Sequence, residues 1–180
     1  MINRTILKDL QEALAVFPVV LLCGARQVGK STLVLSLCEH YITLDDITQL
    51  DGARADPKRF IQDLPRPIVI DEIQKAPELL PAIKEEVDRK RKNGDFLLTG
   101  SANLLGYKKV TESLAGRMGV MELLPLSCRE MANRADANLA DDLFSAEWPN
   151  NKTPQSSNLL LDSLLQGGYP ELQRIHTQRG

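Results

Sequence analysis

A short run of residues near the start of the chain combines two glycines, a lysine and a serine at a spacing that suits phosphate binding. The run reads Gly-Ala-Arg-Gln-Val-Gly-Lys-Ser over residues 24–31, and it follows the apolar stretch Val-Val-Leu-Leu at residues 19–22. Glycine lets the backbone turn sharply enough for its N–H groups to surround a phosphate chain. The sequence therefore predicts a site for a nucleoside triphosphate, because this pattern is significant when it lies between a strand and a helix.

Each position of this loop has an expected role. Gly24 and Gly29 provide the turns, and the N-terminus of the following helix attracts negative charge. Lys30 is expected to reach the β- and γ-phosphates, and the Ser31 hydroxyl can hold Mg²⁺. Arg26 could contact a phosphate or a neighbouring subunit, and it has no assigned role. The residues predicted to bind the nucleotide are Gly24, Ala25, Arg26, Gln27, Val28, Gly29, Lys30, Ser31 and Thr32.

A pair of carboxylates follows another apolar stretch. Asp71 and Glu72 come directly after Pro-Ile-Val-Ile at residues 67–70. A parallel strand delivers the residues at its carboxyl end to the ligand crevice, so both should lie near the phosphate loop. Asp71 is predicted to lie near the Mg²⁺ held by Ser31, either directly or through water. Glu72 is predicted to orient and deprotonate the attacking water, which favours nucleotide hydrolysis over phosphate transfer to a small molecule.

The sequence favours ATP over GTP as the nucleotide. Guanine-specific proteins usually carry an Asn-Lys-x-Asp motif that reads the base. The nearest sequence here is Asn-Lys-Thr-Pro at residues 151–154, which lacks the aspartate and does not follow a predicted strand.

Two further side chains are candidates for the chemistry. A strand predicted over residues 96–99 runs into Gly-Ser-Ala-Asn at residues 100–103. Ser101 is the first choice for a contact with the γ-phosphate or the attacking water, ahead of Asn103 and Thr99. A helix cap or turn is an equal alternative for Ser101. Arg117 follows a short helix predicted over residues 112–116, and it could be an arginine finger in cis or in trans, or form a structural salt bridge.

Strands and helices alternate along the chain. Helices are predicted over residues 6–17 and 30–39, from Asp56-Pro57 to Leu64, and from between Pro77 and Pro81 to a stop at Gly94; strands are predicted over residues 18–23, 41–44, 67–70, 96–99 and 118–123. The strands are continuously apolar, which indicates a parallel sheet with helices on both faces. Ser127 and Glu130 fit a capping box that opens a further helix.

Composition is that of a soluble globular protein. Apolar residues make up 43%, charged residues 26%, and the net charge is −2. No apolar run is long enough to span a bilayer, and the N-terminus lacks the apolar core of a secretory signal. The three cysteines form no CxxC pair, so we expect reduced thiols in the cytoplasm and no structural zinc.

A basic cluster at residues 89–92 is expected to be a solvated helix end. Together with Lys108 and Lys109, this cluster leaves DNA association as a weaker alternative function.

A series of motifs resembles one family. They are residues 24–33, Leu-Asp-Asp at 44–46, Ile-Asp-Glu-Ile-Gln at 70–74 with Ala-Pro at 76–77, Leu-Thr-Gly-Ser at 98–101, Ser-Leu-Ala-Gly-Arg at 113–117, Leu-Pro-Leu-Ser at 124–127 with Arg-Glu at 129–130, and Gly-Gly-Tyr-Pro-Glu at 167–171. Because these motifs occur in this order, the chain resembles the predicted AAA-type ATPases of bacteria and archaea that carry a C-terminal domain of unknown function. The resemblance implies an α/β P-loop NTPase fold of the ASCE type, with about five parallel strands in the order 5-1-4-3-2. It also implies that Lys30, Ser31, Asp71 and Glu72 take the roles given above.

The resemblance also implies a domain organisation. We expect an AAA-type nucleotide-binding domain over residues 1–131, a linker over 132–158, and at 159–180 the start of a C-terminal domain that relatives continue. A homo-oligomer or a partner protein would use that domain. Two functions stay open: an Mg²⁺-dependent ATPase, faster if subunits supply Arg117 in trans, and an ATP-gated switch with little or no turnover.

Overall fold

The computed structural model describes residues 2–101, 114–131 and 167–177. By its contacts, the chain divides into two compact units. The first unit is Ile6–Leu123, and the second combines Met1–Thr5 with Leu124–Gly180. The predicted linker at 132–158, the predicted helix at 159–165, Asn103, Lys108 and Lys109 lie outside the described residues.

A five-stranded sheet forms the centre of the first unit. Its strands are β1 (Val19–Gly24), β2 (His40–Thr43), β3 (Ile68–Asp71), β4 (Phe96–Ser101) and β5 (Met118–Glu122). All four strand pairs are parallel, and the order is β2-β3-β4-β1-β5. Counted from the other edge this is 5-1-4-3-2, so the predicted fold class and strand order are confirmed.

Helices cover the sheet on both faces. In the first unit they are α1 (Ile6–Val16), α2 (Lys30–Val34), α3 (Ile47–Ala55), α4 (Pro57–Asp63) and α5 (Leu79–Lys90), with a 3₁₀ turn at Ile73–Lys75. Successive residues of β1 point to opposite faces, as a strand requires. Val19 and Leu21 join a core cluster with residues of α3, α4 and α5. Val20 and Leu22 join a second cluster with residues of α1 and α2. The first strand is therefore buried on both sides, which explains its unbroken apolar sequence.

The helix after the phosphate loop is shorter than the sequence predicted. It ends at Val34 rather than near residue 39. The hydroxyl of Ser36 donates to the carbonyl of Leu33 at 2.6 Å, and the N–H of Ser36 donates to the same carbonyl at 3.2 Å. Bonds of this local type replace the α-helical ladder, because a serine side chain competes for backbone partners.

Two other helix predictions differ from the structure. Helix α5 ends at Lys90, before the stop predicted at Gly94, and the next residue, Arg91, takes the left-handed conformation. Helix α3 was not predicted at all. Its sequence has little amphipathic pattern and buries only Ala53, but the Asp46 side chain caps it by accepting from the N–H of Thr48 at 2.7 Å. A strong cap can thus define a helix that periodicity does not reveal.

Two capping predictions are confirmed. Asp56 accepts from the N–H of Arg59 at 3.0 Å, and Pro57 is the first residue of α4. In the second unit, Ser127 and Glu130 form the predicted reciprocal box at the start of α6 (Cys128–Met131). The same unit contains α7 (Pro170–Thr177). Within the described residues, none of the helices has the length and apolar character needed to cross a bilayer.

Candidate nucleotide-binding site

The phosphate loop begins where β1 ends. Gly24 has a φ of +154°, and a Cβ at this position would lie 2.4 Å from the carbonyl oxygen of Leu123. Gly29 closes the loop in the left-handed region, with φ 96° and ψ 23°, directly before α2. Both positions therefore need glycine, the first for lack of space and the second for its backbone conformation.

Lys30 lies inside this loop. Its side chain is 6% exposed, and its ammonium donates to the carbonyls of Gly24 at 3.0 Å and of Ala25 at 2.8 Å. The loop backbone thus holds a buried positive charge next to its own N–H groups. Arg26, by contrast, lies in the exposed part of the loop.

Ser31 and Asp71 meet, although they are 40 residues apart in sequence. The Ser31 hydroxyl donates to Asp71 Oδ2 at 2.8 Å. Asp71 is the last residue of β3 and is only 4% exposed. The structure therefore brings together the loop and the acidic strand, as their positions in the sequence predicted.

Asp71 accepts hydrogen bonds from two more hydroxyls. Tyr41 of β2 donates to Oδ2 at 2.6 Å, and Thr99 of β4 donates to Oδ1. Burial and the neighbouring Asp71 carboxylate raise the pKa of Tyr41 to about 12, so the phenol keeps its proton and acts as the donor at neutral pH. Sequence reasoning missed Tyr41. The signal was its position in the strand that pairs with the acidic one, where Tyr41 lies beside Val69.

Thr99, rather than the first-choice Ser101, is the β4 residue that reaches the acidic pair. It is fully buried, and its hydroxyl also accepts from the N–H of Glu72 at 3.1 Å. Ser101 lies at the end of β4, paired with Gly24 of β1. Strand alternation directs Thr99 to the same face as Asp71. The predicted contact of Ser101 with a γ-phosphate stays a prediction.

Glu72 has an unusual backbone and a close neighbour. It adopts the left-handed conformation, with φ 61° and ψ 43°, which is uncommon for a residue with a side chain. The amide nitrogen of Gln74 donates to Glu72 Oε2. The other amide atom of Gln74, Oε1, is buried and has no hydrogen-bond partner among the described residues. Gln74 therefore holds the side chain that was predicted to be the general base.

Arg117 lies at the opposite end of the sheet from the loop. Its guanidinium forms a two-point ion pair with Asp88, at 2.5 and 3.1 Å, and its carbonyl accepts from the N–H of Val19 at 3.3 Å. Val19 begins β1 and Gly24 ends it, so about 16 Å of strand separates Arg117 from the start of the loop. The structure does not bring Arg117 to the phosphate loop of its own chain.

The basic cluster at the end of α5 is largely paired with acids. Arg89 and Lys90 both form ion pairs with Glu86, at 2.7 and 3.0 Å, and Lys92 lies 3.7 Å from Asp95. This supports a solvated helix end over a nucleic-acid contact.

The donor set of the site fits Mg²⁺. A serine hydroxyl and an aspartate carboxylate are hard oxygen ligands, and Mg²⁺ is usually held by one or two carboxylates together with substrate phosphates and water. No cluster of three or more histidine, cysteine or acidic side chains suited to a metal occurs in the part of the chain that the structure describes. The protein ligands available here are thus those of a nucleotide-dependent metal site rather than a closed protein cage.

Comparison with known proteins decides the family. A model of the AAA domain matches residues 16–132, which is more than half of the chain. The chain belongs to this AAA family of P-loop ATPases. The match covers the sheet, the phosphate loop and the acidic strand described above, and together with the fold it supports an ATP-binding protein of the AAA type.

Two proteins with related sequences match most of the chain. Uncharacterized proteins of Mycobacterium tuberculosis and Mycobacterium bovis are each 40% identical over 131 residues, which cover 70% of this chain and 29% of each relative. The chain therefore spans less than a third of the length of these curated relatives.

A solved structure shares the fold. The Walker-type ATPase of Pyrococcus abyssi matches 96% of this chain and 66% of its own, with a TM-score of 0.53 and 14% identity. At this identity the likeness concerns the architecture, and it agrees with the AAA-type sheet.

Proposed function

We propose that this AAA domain is an Mg²⁺-dependent ATPase that converts ATP to ADP and phosphate. The observation that carries the proposal is the 2.8 Å hydrogen bond between Ser31 Oγ and Asp71 Oδ2. It joins the phosphate loop to the acidic strand in one site, at the carboxyl ends of parallel strands where ligands of such sheets bind.

The residues of the loop would bind the triphosphate. Lys30 would turn from the carbonyls of Gly24 and Ala25 to the β- and γ-phosphate oxygens, since all are acceptors for its ammonium. Ser31 and Asp71 would hold Mg²⁺, which supplies neutralisation of the charge on the β- and γ-phosphates. The N-terminus of α2 would add its backbone N–H groups.

Glu72 would act as the general base. It directly follows Asp71 and its N–H is fixed by Thr99, so its side chain projects from the same end of the sheet as the loop. A positioned carboxylate of this kind removes a proton from the attacking water and contributes about 10²–10⁴-fold to the rate.

The test is ATP turnover with Mg²⁺ for the unchanged chain, Lys30→Ala and Glu72→Gln. We expect turnover by the unchanged chain and none by either variant, with ATP still bound by Glu72→Gln. Glutamine keeps the size of the glutamate, so it removes the base without altering the packing. Tight ATP binding without turnover at any concentration of the unchanged chain would rule out an autonomous ATPase.

The contact between Gln74 and Glu72 favours a second candidate, an ATP-gated switch with little or no turnover. With Gln74 donating to Oε2, the Glu72 carboxylate is engaged inside the protein. If the chain is a switch, Glu72→Gln changes neither the amount of bound ATP nor its lifetime. If it is an ATPase, the same variant retains ATP that the unchanged chain hydrolyses.

Arg117 is proposed to act only in trans. Its position beyond the far end of β1 argues against a role in its own site, while its exposure at 34% of the side chain leaves it open to a second subunit. Turnover per subunit should then rise with protein concentration. Arg117→Ala should remove this rise, and Arg129→Ala serves as a control for the loss of another arginine.

A further inference from the structure

The Asp71 carboxylate is held by hydroxyls from three different elements. Ser31 lies in the first turn of α2, Thr99 lies in β4, and Tyr41 lies in β2, at the edge of the sheet. The first belongs to the phosphate loop, and the second also supports Glu72. Tyr41 belongs to neither the phosphate loop nor the acidic pair, and its hydroxyl interacts with Ser31 as well as with Asp71, so its role needs a separate explanation.

We propose that Tyr41 is a positioning residue that fixes the Asp71 carboxylate for Mg²⁺ and thereby sets how strongly Mg²⁺ and the nucleotide bind together. This inference rests on the proposed nucleotide and Mg²⁺ binding, and it adds a residue from outside the loop and the acidic pair to that site.

The argument begins with the hydrogen-bonding capacity of the carboxylate. Two carboxylate oxygens offer about four acceptor positions. Ser31 and Tyr41 take two on Oδ2, at 2.8 and 2.6 Å, and Thr99 takes one on Oδ1. One position on Oδ1 is left for a hydrogen bond from water or for a metal ion. Asp71 therefore has a single defined direction in which it can support a cation.

Removal of the phenol hydroxyl would loosen this arrangement. Without the Tyr41 hydroxyl, Oδ2 keeps only the Ser31 hydroxyl as a donor among the described residues, and that group would also bind Mg²⁺, so the carboxylate is held less firmly. Partners that orient a metal ligand typically account for about 10–100-fold in metal affinity. The Ser31 hydroxyl can still donate to Asp71 and offer its oxygen to Mg²⁺, so the change should weaken the metal site without removing it.

A purely structural reading of Tyr41 is the alternative. Its ring packs at the edge of the second core cluster, and a partly buried tyrosine hydroxyl usually finds some acceptor. The two readings differ in one measurable respect. A structural role predicts that Tyr41→Phe changes stability alone, whereas a positioning role predicts a specific change in the coupling between Mg²⁺ and nucleotide.

The experiment measures ADP binding by isothermal titration calorimetry, because ADP cannot be hydrolysed at this site. The dissociation constant of ADP is determined in EDTA and in MgCl₂. The value in EDTA divided by the value in MgCl₂ measures the coupling between Mg²⁺ and nucleotide. We expect Tyr41→Phe to lower this ratio by about tenfold, with the affinity in EDTA unchanged. Tyr169→Phe, the same chemical change at an exposed tyrosine, should leave the ratio as it is.

The outcomes separate this inference from the proposed function. An unchanged ratio in Tyr41→Phe, or an equal loss of affinity with and without Mg²⁺, overturns the positioning role and leaves nucleotide binding intact. If the unchanged chain binds ADP under neither condition, both proposals fail. Lys30→Ala should lose ADP in EDTA as well as in MgCl₂, which shows that the binding measured is that of the phosphate loop.

Discussion

Two buried carboxylates, one in each unit of the chain, are held in different ways. Asp71 and Glu130 are both 4% exposed. Glu130 receives the guanidinium of Arg4 at 3.1 Å and the backbone N–H groups of Thr5 and Ser127, each at 2.8 Å. Asp71 receives three neutral hydroxyls, and no lysine or arginine of the described ranges forms an ion pair with it.

This difference indicates that the two carboxylates have different roles. A buried charge is costly unless it is paired, and Glu130 has its cation within the protein. Asp71 keeps a negative charge that hydroxyls solvate but do not neutralise. A carboxylate of this kind is suited to an external cation, whereas Glu130 is suited to holding residues 2–5 to residues 124–131 of the same unit.

The largest expected effect concerns Glu130. Burial alone would raise its pKa, but the hydrogen bonds from Ser127, Thr5 and Arg4 outweigh this and lower the pKa to about 2 from an ordinary 4.5. The ionised form therefore stabilises the folded state above pH 4.5, and this contribution is lost as the pH falls towards 2. The full contribution is on the order of 3 kcal/mol. Urea unfolding at a series of pH values should show Glu130→Gln less stable at pH 7 by about this amount, with the difference gone near pH 2.

The comparison fails if the difference in the free energy of unfolding between the unchanged chain and Glu130→Gln is independent of pH. A constant difference would mean that Glu130 acts through its shape and not through its charge. Glu122→Gln, a change at another glutamate for which the structure records no ion pair, is the matched control and should show no such dependence.

Asp71→Asn should have the second largest effect, on function rather than on stability. Asparagine keeps the shape. Its amide oxygen can accept from Ser31 and Tyr41 and its NH₂ group can donate to the Thr99 hydroxyl, but it has no charge for Mg²⁺. We expect Mg²⁺-dependent ATP turnover to fall by about 100-fold, with no loss in the free energy of unfolding, since a buried uncompensated charge is removed. Steady-state turnover and urea unfolding of the same preparation provide both values, and a clear loss of stability would contradict the contrast with Glu130.

Thr99→Val should have the smallest effect of the three. The change leaves Asp71 Oδ1 and the N–H of Glu72 without the partner they share. Each of these two losses lowers the free energy of unfolding by about 1 kcal/mol, so the variant should be less stable by about 2 kcal/mol. Thr99→Ser keeps the hydroxyl and should retain most of the stability. If valine and serine behave alike, the hydroxyl is not what holds the acidic pair.

The sequence predicted the parts of the site that depend on local pattern. The glycines and lysine of the loop, the apolar strand before Asp71 and the parallel sheet follow from residue type and from the alternation of strands with helices. The order of the strands was implied by the resemblance to the AAA-type ATPases, not by these patterns. The role of each residue in catalysis stays a prediction.

Contacts that depend on strand register could not be found in the same way. Tyr41, Val69 and Leu97 lie on the face of the sheet that α1 and α2 cover. Asp71 lies two residues after Val69, and Thr99 lies two residues after Leu97, so both side chains point to this same face. Tyr41 and Thr99 can therefore reach Asp71. The pairing of β2 with β3 must be known before Tyr41 can be chosen. The contact of Arg4 with Glu130 spans 126 residues, and no local pattern in the sequence indicates it.

The close fit at Gly24 affects how variants of the phosphate loop should be interpreted. The space that a side chain would need is taken by the carbonyl of Leu123, while the N–H of Leu123 donates to Cys23 at 2.7 Å. Any larger residue at this position would force the first strand away from the chain that follows β5. Loss of activity in a Gly24 variant would thus report damage to the sheet, so Lys30 is the better position at which to measure how much phosphate recognition contributes.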